Sequence, residues 1–175
     1  MKALLVIDMQ KDFVDGVLGS PEAAAIVPAV AARIERAKQT GERVFFTRDT
    51  HQENYLSTQE GRKLPVPHCI EGSPGWQLIP ELAPLAEGET VFDKPGFGYP
   101  SLCHELERLA KREPLEEVTL IGVCTDICVI SNALLVKAFL PETELYVEAA
   151  CCAGVTPERH QIALEAMKAC QITIL

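Results

Sequence analysis

The sequence predicts an α/β fold, a doubly wound three-layer α-β-α arrangement around a mostly parallel six-stranded sheet. Three observations carry this. Short apolar, β-branched runs alternate with helix-period segments at steps of about 30 residues, the rhythm of right-handed βαβ crossovers. The first run, Ala3-Leu4-Leu5-Val6-Ile7, is apolar throughout, the pattern of a strand covered on both faces. The chain of 175 residues, 47% hydrophobic and 23% charged, suits a single domain over 1–175 with a full core.

The elements follow in order. Asp8 ends the first strand, and an acid at the carboxyl end of a buried strand lies where open α/β sheets bind ligands. Ser20-Pro21-Glu22 supplies a cap, a proline at N1 and an early acid for a helix. Ile26, Val30, Ile34 and Ala37 form its buried stripe, Pro28 delays or bends its start, and Gly41 stops it. Arg43 to Thr47 is the second strand, closed by Arg48-Asp49. From Thr50 to Gly88 the periodicity fades among scattered prolines, and so long an excursion is either functional or structured locally. Glu89 to Phe92 is the third strand, leading to Asp93-Lys94. Ser101 caps a helix with Leu102, Leu106 and Leu109 inward. Val118 to Ile121 is the fourth strand, followed by a turn and a helix marked by Ile127, Ile130, Leu134 and Ala138. Glu144 to Glu148 is the fifth strand, and Ala149 to Gly154 a small-residue turn. Thr156-Pro157-Glu158 opens a last helix with Ile162, Ala166 and Cys170 inward, and Gln171 to Leu175 closes the sheet.

Composition narrows the functions. A net charge of −9 without a basic cluster argues against nucleic-acid binding. No segment is long enough to span a membrane, and Asp8 interrupts the N-terminal apolar run before a signal-peptide core forms. The chain therefore reads as cytoplasmic, with its seven cysteines reduced. No CxxC pair, GxGxxG fingerprint or P-loop is present, against a zinc ribbon or a nucleotide site.

Two constellations point to chemistry. Thr125 suits an N-cap, which places Cys128 at about N3, where free amides and the helix dipole stabilise a thiolate. A free cysteine is usually inert, so this segment alone leaves Cys128 as nucleophile or core residue. Asp8 and Lys94 lie past strands one and three, and those ends converge with the fourth on one crevice. Taken singly, Asp8 reads as a turn or cap residue and Lys94 as a solvated lysine, but meeting in one crevice with a thiol, the carboxylate can take its proton and the ammonium can hold the developing charges. The second constellation is Asp49-x-His51 with His68 and, within reach, Glu60 as a further oxygen donor, although a D-x-H alone reads first as solvated loop residues. Carboxylate and imidazole donors without thiolates suit zinc, iron or manganese. His104 and His160 fall on expected helix surfaces.

These pieces resemble the isochorismatase-like cysteine hydrolases, and within them the nicotinamidase/pyrazinamidase group. The matching stretches are Val6-Ile7-Asp8-Met9-Gln10-x-Asp12-Phe13, Thr47-Arg48-Asp49-x-His51, Pro67-His68-Cys69-x-x-Gly72-x-Pro74-Gly75, Lys94 and Gly122-Val123-Cys124-Thr125-Asp126-x-Cys128-Val129. The resemblance implies a catalytic trio of Asp8, Lys94 and Cys128 and a divalent metal, zinc first, on Asp49, His51, His68 and Glu60. It also implies a cis peptide before Cys124, an oxyanion hole from the amides of Cys124 and Cys128, and Phe13 against the substrate ring. The implied reaction is hydrolysis of a small-molecule carboxamide, nicotinamide first, and a homo-oligomer is expected. The pattern departs at Pro65, where an aromatic residue is usual, and at Ser57, near which some members carry a histidine. A metal-independent amide or carbamoyl hydrolase, or a non-catalytic ligand-binding member, are the alternatives.

Overall fold

The computed structural model describes residues 1–175. Six strands, Lys2–Ile7 (β1), Arg43–Asp49 (β2), Thr90–Lys94 (β3), Glu117–Val123 (β4), Glu144–Ala153 (β5) and Thr173–Ile174 (β6), form one sheet in the order β3-β2-β1-β4-β5-β6. Every pairing is parallel. The order reverses between β1 and β4, so the crevice at their carboxyl ends is the place where doubly wound sheets hold ligands.

The period of two along β1 sorts its side chains onto both faces. Ala3, Leu5 and Ile7 join one apolar cluster, and Leu4 and Val6 join the other. Helices Pro100–Ala110 (α5 in chain order), Ile130–Phe139 (α6) and Pro157–Ala169 (α7) cover the first face. Val27–Thr40 (α3), preceded by the short Lys11–Val14 (α1) and Pro21–Ala25 (α2), covers the second. Ser20 caps α2 by accepting from the Ala23 amide at 3.0 Å, and Gly41 ends α3 in the left-handed region at φ 77°. Pro28 does break the expected single helix in two, at Ile26. No helix is long and apolar enough to cross a membrane.

Several details depart from expectation. α5 starts at Pro100, whose preset φ opens the helix, so Ser101 is not a cap. The expected turn from Ala149 to Gly154 is mostly strand, because β5 runs on to Ala153 after a register shift opposite Leu120 and Gly122. α7 buries Ala163, Leu164 and Met167, whereas Ile162 is 62% exposed. α6 buries Asn132, Ala133 and Val136 and exposes Leu134. Both helices carry apolar residues on more than one stripe, so spacing alone does not select the inner face. Arg33 occupies the α3 stripe as a buried cation, paired with Glu42 at 2.8 Å and with Glu148.

The excursion from residue 50 to 88 is structured locally by three short 3-10 turns and the helix Gln59–Lys63 (α4). Gln10 ties it down. Its amide nitrogen donates to the carbonyls of Asp49 and Trp76, both at 2.9 Å, and its oxygen accepts from the Asp49 amide at 2.7 Å. Asp12 adds a bond from the Cys69 amide at 2.8 Å.

Candidate active site

Three strand ends deliver the first group of side chains. Asp8 follows β1 with a left-handed backbone (φ 48°), a conformation aspartate tolerates. Lys94 is the last residue of β3, and Cys128 lies in the turn after β4. The structure brings all three together. The Lys94 ammonium stands 2.8 Å from Asp8 Oδ2 and donates to Cys128 Sγ and Asp49 Oδ1, each at 3.3 Å, and to the Gly96 carbonyl at 3.1 Å. Asp8 Oδ1 accepts from the Thr47 hydroxyl at 2.6 Å, while Oδ2 faces Lys94 with no well-angled hydrogen bond.

All three groups are buried, and burial sets their charge states. It pushes the Asp8 carboxyl up, further than Lys94 pulls it down. Burial and then Asp8 push the Cys128 thiol well above the ordinary cysteine value, with Lys94 opposing. For Lys94, burial works against the charge, yet Asp8, Cys128 and Asp49 together hold it well above the usual lysine value. The thiolate expected at a helix N-terminus is thus a buried thiol awaiting a base.

The turn that carries Cys128 also differs from expectation. Residues Thr125–Val129 form a π-helical turn, and the N-cap position belongs to Cys124, whose carbonyl accepts from the amides of Ile127 and Val129 at 3.0 and 3.1 Å. Thr125 is fully buried, and its hydroxyl lies 2.8 Å from Nδ1 of His160, a residue expected on the surface. The Val123–Cys124 peptide is cis, and the Cys124 amide makes no hydrogen bond. Gly122, at φ 115°, cannot be replaced, because a Cβ there would lie 2.1 Å from the Ile7 carbonyl oxygen of β1. Asn132 was not singled out by the sequence. Its amide joins the Cys128 and Phe97 carbonyls at 2.8 and 3.0 Å and accepts from the Tyr99 amide, locking the loop after Lys94 onto α6. Only its place one turn after Cys128 hinted at this.

Beside the trio, Asp49, His51, Glu60 and His68 bring one ligand atom each within 4.8 Å of one another. Nδ1 of His68 lies 2.8 Å from the Val66 carbonyl and must donate to it, which turns the Nε2 lone pair toward the group. Nε2 of His51 is buried without a hydrogen-bond partner, 2.9 Å from Asp49 Oδ2. Burial raises the Asp49 carboxyl, but the two imidazoles and Lys94 outweigh it and hold the group well below the carboxylate range. Two carboxylates and two imidazoles around an orphaned nitrogen fit a divalent cation.

Both groups open into one cavity of about 600 Å³. Phe13, Phe97, Ile127 and Val155 give it apolar walls, Cys124 and Cys128 line it, and Lys63 and Arg159 border it without a carboxylate partner. Phe13 also packs its ring 5.5 Å from that of His68.

A buried thiol, ammonium and carboxylate at the carboxyl edge of a doubly wound sheet, under an apolar pocket, define a hydrolase. The isochorismatase domain family matches residues 2–175, and the chain belongs to that family. The nicotinamidase/pyrazinamidase of Mycobacterium tuberculosis is 27% identical over 194 residues, covering 100% of this chain and 98% of that protein. Among solved structures, the pyrazinamidase/nicotinamidase of Streptococcus mutans superposes with a TM-score of 0.87 at 30% identity, covering 100% of both chains. The pyrazinamidase of Pyrococcus horikoshii, in complex with zinc, gives 0.80 at 29% identity, covering 99% of this chain and 98% of that one.

Proposed function

We propose that this protein hydrolyses the carboxamide of a small molecule to the acid and ammonia through a thioester on Cys128, with nicotinamide the first substrate. The observation that carries the reading is Lys94, whose one ammonium touches both the candidate base, Asp8, and the candidate nucleophile, Cys128. Asp8 takes the thiol proton, and Sγ attacks the amide carbonyl carbon while Lys94 balances the charge. The amides of Cys124 and Cys128 receive the oxyanion. Asp8 returns the proton to the leaving nitrogen, the C–N bond breaks and ammonia departs. A water molecule, deprotonated by Asp8, then attacks the thioester, releasing the acid and restoring the thiol.

Asp49, His51, Glu60 and His68 would hold a divalent metal, zinc before iron or manganese, which when bound supplies a Lewis-acid anchor for a ring nitrogen or a water. Phe13 would pack on the substrate ring. Ammonia release from a panel of amides tests the reading: Cys128→Ala should abolish turnover with an unchanged melting curve. Retained turnover removes Cys128 from the nucleophile role.

A second reading keeps the chemistry and changes the substrate. Lys63 and Arg159 border the cavity with no carboxylate partner, which favours an amide bearing an acid group over a neutral one. Carboxylate-bearing amides in the same panel separate the two.

A further inference from the structure

The turn that presents Cys124 and Cys128 is held from behind, and its support is not part of the pocket. Thr125–Val129 has no side-chain cap of its own. Its wide π geometry leaves two inner bonds to the Cys124 carbonyl, from Ile127 and Val129. Two struts from the β5–α7 corner complete it. The buried Thr125 hydroxyl meets His160 Nδ1 at 2.8 Å, and Asp126 Oδ1 accepts from the Val155 amide at 2.9 Å. Between the struts lies Gly154, where a Cβ would sit 2.8 Å from the His160 backbone nitrogen and 3.0 Å from Asp126 Oδ1, so the first turn of α7 is pressed against the end of β5. Neither Thr125 nor His160 lines the cavity, although their neighbours Cys124, Gly154 and Arg159 do.

We propose that His160 is a positioning residue: through Thr125 it fixes the Thr125–Val129 turn, and with it the backbone amides that meet the substrate oxygen. This rests on the amidase reading above. Asp126 is the one charged group that bears on His160, and burial outweighs its pull and keeps the imidazole below the ordinary histidine value. A hydroxyl–imidazole bond is directional, and loss of it lets the turn relax by fractions of an ångström. Oxyanion stabilisation is sensitive to such shifts, whereas the thiol is not.

The test uses His160→Leu, Thr125→Val, their combination, and His160→Asn, which keeps an amide atom near the Nδ1 position. His160→Leu and Thr125→Val should each lower kcat by about 10- to 100-fold with KM nearly unchanged. The alkylation rate of Cys128 by iodoacetamide, which needs no oxyanion hole, should stay at the wild-type value. The double variant should be no worse than either single, and His160→Asn should recover most of the rate. Wild-type kcat in His160→Leu overturns the proposal, as do multiplying losses in the double variant or a loss that merely follows the melting temperature. Failure of the amidase reading is distinct, since it shows as turnover by Cys128→Ala.

Discussion

Lys94 is the residue on which the site balances. It is fully buried against two carboxylates and a thiol, with Asp8 at 2.8 Å. Lys94→Met would remove the ammonium that stands between Asp8 and Asp49. The expected outcome is loss of turnover and a destabilisation of about 3–5 kcal/mol in a denaturant titration, the scale for removing one partner of a buried pair. The positions of Asp8, Lys94 and Cys128 were legible because each lies at or just past the end of a strand, and strand ends of a doubly wound sheet converge. Their burial was not legible, since it depends on walls supplied by distant segments. For that reason the sequence argued for a lowered cysteine pKa, and the structure gives the opposite direction. Alkylation checks the sign. With its pKa raised, Cys128 is protonated near neutrality, so its labelling should be slow beside that of exposed Cys170 and should climb as pH rises. Fast Cys128 labelling near neutral pH that is flat with pH contradicts this.

Among the elements, helix caps and stops are legible in the sequence and the inner faces of helices are not. Ser20, Gly41 and Thr156 do what their residue types dictate, because a cap involves only three or four neighbours. Thr125 broke the rule because a partner from α7, 35 residues away, claimed its hydroxyl. The excursion between β2 and β3 showed only prolines and fading periodicity. Its anchors, Gln10 and Asp12, lie in the segment after β1 and act across the sheet edge. The candidate metal group ties two parts of this excursion together, with Asp49 and His51 at its entrance and Glu60 and His68 beyond. The purified protein should therefore carry close to one divalent metal per chain, and His51→Ala should lower both metal content and turnover. Chelation should make residues 50–88 more protease-sensitive, because ion binding and ordering are coupled. A metal-free protein of full activity and unchanged proteolysis contradicts this.

Across the whole molecule, the two apolar clusters share β1 as their common wall, and the Arg33 pairings tie α3 to the start of β2 and to β5. The three layers and the parallel six-stranded sheet followed from the alternation of strands and helices, whereas the order of its strands is set by the packed structure. The inner faces of α6 and α7 had to wait for packing, because both helices are apolar on more than one side.

The order β3-β2-β1-β4-β5-β6 also divides the chain into two contributors. Everything up to α5 supplies the proposed base, the Lys94 ammonium and the four candidate metal ligands, while everything from β4 onward supplies the proposed nucleophile and the amides around it. Within the sheet, the seam between these halves is the pairing of β1 with β4, from Lys2 opposite Glu117 to Ile7 opposite Gly122, and the Arg33–Glu148 pair and the Asn132 bonds to the Phe97–Tyr99 loop cross it outside the sheet. Residues 111–114, which link the halves, are exposed, so the backbone can be interrupted there without opening a core. Expressed as separate pieces cut between Arg112 and Glu113, each half should be silent in the ammonia assay, and mixing them should restore release. Such a pair would act as a two-key lock, in which catalysis reports that two polypeptides have met.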